Sequence, residues 1–429
     1  MRDFKQLDLG MYVITKKQKH TWEEFHAFLS NFQFENKKTQ IIEENLQDIL
    51  IKKYVNEFWT SKQRQSTAIH EISYRACFKP QLPGFFIERL TDDGEIIYDP
   101  FSGRGTTIIE AVLKGRIGVS NDINPLSGML TKPRLFPPYI SDVEKRFKEI
   151  QFDNTKKADI DLSMFFHPDT EAEIVSLRDY LLQRKENGIE DNIDDWIRMV
   201  ATNRLTGHSK GFFSVYTLPP NQAVSQKSQI KINERRNQKP EYRNVKKIII
   251  RKSSQLLRDL TQLERQNLEK YADKSVFLTE DARQTNQIPS DTVQLTVTSP
   301  PFLDIVQYSN DNWLRCWFNS INDAEISKKI TMSRTIEQWS SVMGDVFKEL
   351  YRITKPGGWV AFEVGEVRKG SVKLDEYIVP LGVSAGFKCF GILINSQVFT
   401  KTSNIWGVNN NEGGTNTNRI AIFQKDIET

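Results

Sequence analysis

The stretch "EIIYDPFSGRGTTIIEAVLKGRIGVSNDINP" (residues 95–125) constrains the fold of this chain more than any other part. An apolar segment ends at a loop that contains Gly103 and Gly105, a helical pattern follows, and a second apolar segment ends at Asp122. Strand, loop, helix and strand in this order form a βαβ unit, whose two strands lie parallel because the helix connects them. The sequence therefore predicts an α/β fold with parallel strands at its centre.

The strands that complete the sheet return late in the chain. Apolar segments of strand character occur at 275–282, 292–301, 358–367, 387–399 and 418–425. The third of them follows an amphipathic helix predicted over 336–353. The roughly 150 residues between Asp122 and Ser275 are too many for a crossover connection, so they predict an inserted region.

The N-terminal part has a different pattern. Over 41–63 the apolar residues recur at helical spacing, which predicts a helix. The predicted organisation is an N-terminal helical region (1–70), a first part of a catalytic domain (71–129), an inserted region (130–270) and a second part of the catalytic domain (271–429).

The glycine loop and the acids after the strands predict a nucleoside site. Gly103 and Gly105 let the backbone approach a ligand at a helix N-terminus. Asp122 ends the next strand, where a carboxylate can accept both hydroxyls of a ribose, and Asp281 ends the strand after it. A triphosphate loop and the third glycine of a pyrophosphate fingerprint are both missing from the sequence. A nucleoside without a pyrophosphate fits this pattern, which indicates S-adenosylmethionine.

The segment "LTVTSPPF" (residues 295–302) ends a β-branched run at two prolines, which cannot donate to a sheet. Taken alone, a Ser-Pro-Pro sequence is most often only the end of a strand. Together, "DPFSGRGTT" and the later "TSPPF" resemble the amino-group DNA methyltransferases, whose catalytic motif is Ser, Asn or Asp, then Pro-Pro, then Tyr or Phe. The serine form is most similar to the branch that methylates the N4 amino group of cytosine.

This resemblance covers most of residues 70–425 and implies a Rossmann-like S-adenosylmethionine-dependent methyltransferase fold. Such a fold has a mixed seven-stranded sheet with helices on both faces and an antiparallel last strand, here with a large inserted target-recognition region. The segment at 72–86 is similar to the one that precedes the glycine loop in this family, and it departs from it at Arg75 and Cys77. The cofactor contacts implied are Tyr74, Phe78, Asp99, Pro100, Phe101, Gly103, Gly105, Thr106, Asp122, Ile123, Asp281 and Ala282.

The chemistry of amino methylation explains the catalytic motif. The lone pair of a cytosine amino nitrogen is delocalised into the ring, so acceptors for its N–H protons are needed to localise that pair. Ser299 Oγ and the carbonyl of Pro300 can supply them, and the fixed φ angles of Pro300 and Pro301 aim that carbonyl in advance. Phe302 can stack on a base that has left the duplex, and Tyr308 can bound the flipped base.

Several alternatives stay open. Asn or Asp at position 299 would favour adenine, so adenine-N6 methylation is the second hypothesis. RNA or protein amide methylation is less favoured, because those enzymes usually show Asn-Pro-Pro followed by Tyr or Phe and because the large basic insertion favours duplex DNA. An inactive DNA-binding relative is less favoured because the glycines, both acids and the whole of 299–302 occur together. Methylation of a cytosine ring carbon needs a nucleophilic cysteine, typically after proline, and Cys77, Cys316 and Cys389 lack that context.

A basic segment inside the inserted region predicts contact with double-stranded DNA. Residues 227–258 contain eleven Lys or Arg and two Glu, a local charge of +9 in a chain whose net charge is +4. The predicted DNA contacts are Arg235, Arg236, Lys239, Arg243, Lys246 and Lys247. No membrane association is predicted. The family implies a bacterial or archaeal, cytoplasmic and nucleoid-associated protein, with or without a separate cognate restriction endonuclease.

Overall fold

The strands divide between one large sheet and two small hairpins. The computed structural model describes residues 20–59, 66–74, 77–217, 223–301, 308–329, 335–367, 372–396 and 417–427. Its strands are β1 (Gln33–Phe34), β2 (Lys37–Lys38), β3 (Gln40–Leu46), β4 (Ile49–Asn56), β5 (Ile96–Asp99), β6 (Ile117–Asn121), β7 (Val276–Leu278), β8 (Val293–Thr298), β9 (Thr354–Val364), β10 (Glu366–Val367), β11 (Val372–Lys373), β12 (Lys388–Ser396) and β13 (Thr417–Gln424).

The helices cover the sheet and build the inserted region. They are α1 (Trp22–Asn31), α2 (Gln81–Leu90), α3 (Thr106–Leu113), α4 (Leu126–Leu135), α5 (Ile140–Glu149), α6 (Pro168–Glu186), α7 (Asn192–Arg204), α8 (Gln226–Arg236), α9 (Val245–Leu257), α10 (Gln262–Tyr271), α11 (Tyr308–Phe318), α12 (Asp323–Lys329), α13 (Ile336–Ile353) and α14 (Asp375–Ser384). Short 3-10 helices span Ala68–His70 and Ala272–Lys274. The predicted helix over 336–353 is confirmed by α13.

Nine strands form one mixed sheet in the order β3-β4-β12-β13-β9-β8-β5-β6-β7. The run from β9 to β7 is parallel, and β13 lies antiparallel between β9 and β12. The seven strands from β12 to β7 confirm the predicted methyltransferase sheet with its antiparallel last strand. The chain leaves β5 towards β6 and β7 and returns on the other side at β8. This reversal opens a crevice at the carboxyl ends of the strands, where ligands bind in open α/β sheets.

The N-terminal prediction was wrong over 41–63. This segment forms the antiparallel hairpin β3–β4, and β4 continues the main sheet by pairing in parallel with β12. Gln47 and Asp48 make the turn with φ of 50° and 68°, the left-handed geometry of a tight hairpin. Of the apolar residues assigned to one helical face, Leu50 is 68% exposed. The long-range pairing with β12 decided this structure, and local periodicity does not contain that information.

Helices bury both faces of the sheet. In β9, Trp359 and Ala361 pack with α1 and α2 on one face, while Val360 and Phe362 pack with α13 and α14 on the other. This alternation follows from the strand geometry, in which successive side chains point to opposite faces. Such two-sided burial holds the carboxyl ends of the central strands in fixed positions.

The inserted region is helical in the part of the chain that the structure describes. Helices α4 to α7 and α9 share a core with α11, to which Leu314 and Phe318 contribute. Helix α10 packs instead on α3, through Leu268 and Tyr271. The helical cluster therefore starts at α4, slightly before the predicted limit at residue 130. None of the described helices is long and apolar enough to span a membrane.

Candidate cofactor and catalytic site

The carboxyl ends of β5 and β8 lie side by side and carry the two sequence motifs. The strands pair in parallel, and Asp99 at the end of β5 is buried. Its Oδ1 accepts hydrogen bonds from the Thr298 hydroxyl (2.7 Å) and from the Phe101 N–H (3.1 Å). Pro100 is buried between Asp99 and Phe101, and Phe101 packs on the core beneath the sheet. Asp99 thus joins the glycine loop to the residue that precedes Ser299.

Burial makes Asp99 a source of pH-dependent stability. Desolvation raises the pKa of Asp99 to about 7, against the lowering effect of hydrogen bonds from Thr298 and Phe101. The folded protein therefore holds more protons than the unfolded chain between about pH 4 and about pH 7, and the free energy of unfolding falls as pH rises through that range. We expect the free energy of unfolding of Asp99→Asn to fall less than that of the wild type between about pH 4 and about pH 7. Denaturant titrations at both ends of this range measure the difference. The exposed Asp273→Asn is the control, and an unchanged fall in Asp99→Asn contradicts the assignment.

The glycine loop requires both of its glycines. Gly103 and Gly105 have φ of 52° and 75°, in the left-handed region that side chains disfavour. Gly105 is the N-cap of α3, and a Cβ there would lie 2.1 Å from Thr131 Oγ1 of α4. Thr106 begins α3 and is buried. The loop therefore has no side chains at positions 103 and 105, and it packs closely on α4. A nucleoside site at a helix N-terminus needs a backbone that the ligand can approach in this way.

Tyr74 and Phe78 lie in the segment that passes beside this loop. A Cβ at Gly103 would lie 3.4 Å from the Tyr74 ring, and Phe78 is half-buried. The Arg104 guanidinium donates to the carbonyls of Ile72 (2.7 Å) and Phe78 (3.4 Å). Arg104 therefore holds the predicted cofactor segment against the glycine loop. Sequence analysis missed this role, although the residue stands between the two glycines.

Asp122 follows β6 at the same edge. Its Oδ2 accepts the Gly103 N–H and its Oδ1 accepts the Asn124 N–H, each at 2.9 Å. Desolvation raises the pKa of Asp122 to about 6, and these two hydrogen bonds oppose the rise. The side chain is partly exposed, as is the neighbouring Ile123. The predicted ribose acceptor thus lies directly beside the glycine loop.

Asn121 connects the loops that carry the predicted acids. Its Nδ2 donates to the carbonyls of Glu280 (3.1 Å) and Pro100 (3.5 Å), and its Oδ1 accepts the Glu280 N–H (2.9 Å). The side chain is fully buried. Asn121 therefore fixes the distance between the glycine loop and the segment of Asp281. Nothing in the sequence distinguished it from an ordinary residue at the end of a strand.

Asp281 is paired with a neighbour in this structure. Its carboxylate accepts hydrogen bonds from the Arg283 backbone N–H (3.0 Å) and from the guanidinium, at 2.9 Å to Nε and 2.5 Å to Nη2. Hydrogen bonding from Arg283 lowers the pKa of Asp281, against some desolvation. Ala282 is buried in the core beside it. A ligand that binds Asp281 would therefore share it with, or take it from, Arg283.

Ser299 and the two prolines follow β8 where the sequence predicts the strand to end. Ser299 is partly exposed and Pro300 is buried. The Pro301 carbonyl accepts a hydrogen bond from Trp339 Nε1 of α13 (3.0 Å), a contact that the sequence did not reveal. Phe302 lies outside the described residues. Tyr308 is the first residue of α11, and its side chain is also outside the part that the structure describes.

A carboxylate lies behind Ser299. Glu363 of β9 lies close enough to the Ser299 side chain for that hydroxyl to affect the pKa of Glu363, and its Oε1 accepts a hydrogen bond from Asn418 Nδ2 of β13 (3.1 Å). Burial raises the pKa of Glu363, and the hydrogen bonds from Ser299 and Asn418 oppose that rise. Sequence analysis missed Glu363, because it is a polar residue on a strand whose place next to β8 is known only from the sheet order.

The six predicted DNA contacts lie on α8, on α9 and on the segment between them. Arg235 near the end of α8 and Lys239 after the helix are both exposed. The Arg236 guanidinium lies 3.7 Å from the centre of the Tyr216 ring. Lys246 Nζ contacts the Phe147 carbonyl (3.4 Å), whereas Lys247 is exposed on another side of α9.

Arg243 is engaged inside the protein. Its Nη1 donates to the carbonyls of Ser209 (3.0 Å), Phe212 (2.9 Å) and Ser214. This residue thereby shapes the loop after α7.

Comparison with known proteins finds similarity to DNA methyltransferases over part of the chain. A family model described as DNA methylase matches residues 3–132, which include the glycine loop. The type II methyltransferase M.MjaII of Methanocaldococcus jannaschii is 33% identical over 76 residues, and M.MvaI of Kocuria varians is 33% identical over 82 residues. Each match covers 18% of this chain, and they span 14% and 18% of the two relatives.

The family model is similar to this chain over the part that holds the glycine loop, and the model and the two relatives agree with the resemblance to the amino-group DNA methyltransferases. The segment that the family model matches ends before the Ser-Pro-Pro motif, and the cofactor of such methyltransferases is S-adenosylmethionine. The residues around the loop fit that cofactor, because Gly105 leaves a bare helix N-terminus and Asp122 presents a carboxylate beside it.

Solved methyltransferase structures also align with this chain. A Thermus thermophilus protein described as a DNA modification methylase, solved with S-adenosyl-L-methionine, is 21% identical, with a TM-score of 0.22, over 35% of this chain and 54% of that chain. A Methanosarcina mazei S-adenosylmethionine-dependent methyltransferase is 9% identical, with a TM-score of 0.31, over 80% of this chain and 98% of that chain. The strand order described above, rather than these scores, supports the fold assignment.

Proposed function

We propose that this chain is a site-specific DNA methyltransferase that methylates the N4 amino group of cytosine in duplex DNA. The observation that carries the proposal is the position of Ser299 and the two prolines directly after β8, whose Thr298 is hydrogen-bonded to Asp99 at the edge that also holds the glycine loop. Cytosine rather than adenine is proposed because position 299 is serine.

The pair of Ser299 and Glu363 supports a role for the hydroxyl as an acceptor. A serine hydroxyl has one proton to donate and two lone pairs that accept. When Ser299 donates its proton to the Glu363 carboxylate, both lone pairs of Oγ are left for an N–H of the target amino group. The negative charge behind the hydroxyl also strengthens it as an acceptor, since hydrogen-bond chains polarise one another.

The prolines would supply the second acceptor. The Pro300 carbonyl, next to Ser299, is proposed to accept the other amino proton, so that the nitrogen lone pair faces the methyl donor. The hydrogen bond from Trp339 to the Pro301 carbonyl anchors the peptide that follows. Catalysis is then mainly positioning, which converts a reaction of two molecules into one within a fixed geometry. Base flipping, with Phe302 and Tyr308 against the base, is part of the proposal.

S-adenosylmethionine supplies an electrophilic methyl group when it is bound. Gly103, Gly105 and the N-terminus of α3 are proposed to hold its nucleoside, with Asp122 on the ribose hydroxyls and Asp281 on the far side. The predicted contacts from Tyr74 and Phe78 belong to the same site, held in place by Arg104.

We expect Asp122→Ala to weaken S-adenosylmethionine binding by roughly tenfold or more, because charged hydrogen bonds to the ribose are lost. Isothermal titration calorimetry measures this directly. Asp122→Asn keeps an acceptor for the Gly103 N–H, so it tests whether the loss in Asp122→Ala comes only from a disturbed glycine loop. Asp273→Ala, at an exposed position, is the control. Equal affinities of wild type and Asp122→Ala would contradict the assigned contact.

Nucleoside analysis of treated DNA tests the proposed activity. Duplex DNA is incubated with the protein and S-adenosylmethionine, digested to nucleosides and analysed by mass spectrometry. N4-methylcytosine is the expected product. N6-methyladenine alone would assign the chain to the second hypothesis, and unmethylated DNA would reject both.

The partners follow from this proposal. The two curated relatives are type II methyltransferases, which supports a separate cognate endonuclease as a partner and a place on cytoplasmic, nucleoid DNA. Protection of methylated DNA from an endonuclease of the same host would test this association.

A further inference from the structure

A positively charged cavity lies between α7, α9 and the loop that joins α7 to the next segment. Its volume is about 440 Å³. Arg204, the last residue of α7, and Lys252 of α9 are buried. Lys210 of the loop and Lys247 and Arg251 of α9 are exposed. The cavity thus has two buried cations and three more cations that face solvent, all among its lining residues.

Two features of the sequence shape this cavity: the spacing of basic residues on α9, and one arginine that holds the loop. Lys247 and Arg251 are four residues apart and lie on one face of α9. The loop that carries Lys210 is held by Arg243, which donates to the carbonyls of Ser209 and Phe212 at 3.0 and 2.9 Å. Arg243 therefore acts on this site by shaping the loop.

The charge of the cavity has little compensation within the protein. The described lining residues include no carboxylate. Glu71 lies 3.7 Å from Lys252 and also pairs with Arg258 at 2.8 Å. Desolvation, followed by repulsion from Arg204, lowers the pKa of Lys252 to about 8. Desolvation, together with repulsion from Arg315, lowers the pKa of Arg204 to about 10. A bound anion would stabilise this group of cations.

Hydrogen bonds link the cavity to the cofactor segment. Arg204 Nη2 donates to Asn203 Oδ1 (2.5 Å), and Asn203 Nδ2 donates to the Ser73 carbonyl (3.0 Å). That carbonyl also accepts from Arg315 Nη2 of α11 (3.1 Å). Ser73 immediately precedes Tyr74, which lies against the glycine loop. These hydrogen bonds connect the cavity, through Asn203 and Ser73, to α11 and to the segment beside the glycine loop.

We propose that this cavity binds a phosphate of the DNA backbone, with Lys210, Lys247 and Arg251 at its entrance and Arg204 and Lys252 beneath them. The proposal rests on the proposed function for the identity of the polyanion. The chemistry recognised is a phosphate group, which cations and guanidinium groups bind at short distance. A free inorganic anion is the other source of this chemistry, and the experiment separates the two.

The test compares Lys210→Gln/Arg251→Gln with the wild type in binding to a DNA duplex over a range of salt concentrations, by fluorescence anisotropy. Loss of one phosphate contact should reduce the slope of log affinity against log salt by about one. Affinity should fall by roughly tenfold or more. S-adenosylmethionine affinity, measured by calorimetry, should be unchanged. Lys157→Gln/Lys185→Gln, which removes the same charge from exposed positions outside the cavity, is the matched control.

The possible outcomes are distinct. If the wild type binds DNA and Lys210→Gln/Arg251→Gln has the same salt slope as the control variant, the cavity is not a DNA phosphate site. The proposed function is unaffected by that result. Micromolar binding of inorganic pyrophosphate that the double variant loses, with an unchanged DNA slope, assigns the cavity to a small anion and also overturns the proposal. Failure of the wild type to bind DNA rejects the proposed function and the phosphate site together.

Discussion

Ser299→Ala lowers the rate of methyl transfer by roughly 100- to 1000-fold, the loss typical of removing one preorganised hydrogen-bonding group from an active site. The substitution removes the acceptor for the amino N–H and leaves the end of β8 intact, since Thr298 still donates to Asp99. Single-turnover kinetics with saturating cofactor measures the effect. Because Ser299 is assigned to the target base, the affinity for S-adenosylmethionine should stay at its wild-type value.

Glu363→Gln separates the roles of the pair. Glutamine keeps an oxygen that accepts from Ser299 but carries no charge, so we expect a smaller loss, roughly tenfold. The pKa of Glu363 is raised by burial, so its carboxylate forms at a higher pH than that of a free glutamate. The wild-type rate should therefore rise with pH as Glu363 ionises, and this rise should be absent in Glu363→Gln.

The controls identify a merely structural effect. Ser254→Ala removes a hydroxyl from α9, where it donates to the carbonyl of Ile250, and should leave the rate unchanged. If Ser299→Ala retained the wild-type rate with normal cofactor affinity, the proposed role of the hydroxyl would be wrong. If Glu363→Gln kept the pH dependence of the wild type, a different group would be responsible for it.

Gly105→Ala destabilises the protein by about 2 to 5 kcal/mol, the second large effect that we expect. A positive φ costs a side-chain residue about 1 to 2 kcal/mol, and overpacking adds about 1 to 3 kcal/mol. The overpacking arises because the new Cβ would meet Thr131 Oγ1 at 2.1 Å. Urea denaturation gives the difference in the free energy of unfolding, and cofactor affinity should fall as well because the loop must move.

Gly188→Ala is the matched control for the part of the stability loss that comes from the positive φ. Gly188 has φ of 67°, and a Cβ added there would have no atom within 4 Å, so its substitution should cost only the conformational part, about 1 to 2 kcal/mol. The difference between the two variants then measures the close packing of the glycine loop on α4. Equal losses in both variants would show that this packing contributes nothing.

Much of the fold was predictable from short-range patterns. The helix over 336–353 and the strands around the glycine loop agree with the structure, because each has a strong periodicity and a clear end. The hairpin β3–β4 was missed, since its residues also fit a helical face and only pairing with β12 selects a strand. Local propensity cannot contain a partner that lies more than 300 residues away.

The candidate site shows the same division. Asp99, Asp122, Gly103 and Gly105 were accessible to sequence analysis, because a turn between strand and helix imposes its residue types locally. Glu363, Trp339 and Asn121 were not, because each acts across neighbouring strands or between a helix and a loop. Their sequence contexts are those of ordinary strand and helix residues.

The amino-acid sequence by itself determined the βαβ unit, the bare glycine loop and a strand that stops at Ser299, since these depend on residues that are neighbours along the chain. Only the tertiary structure decided that Asp99 reaches Thr298, that Glu363 lies behind Ser299, and that basic residues of α7, its following loop and α9 surround one cavity. The physical reason is that hydrogen bonds and charge interactions act over a few ångströms in space, whatever the separation in sequence.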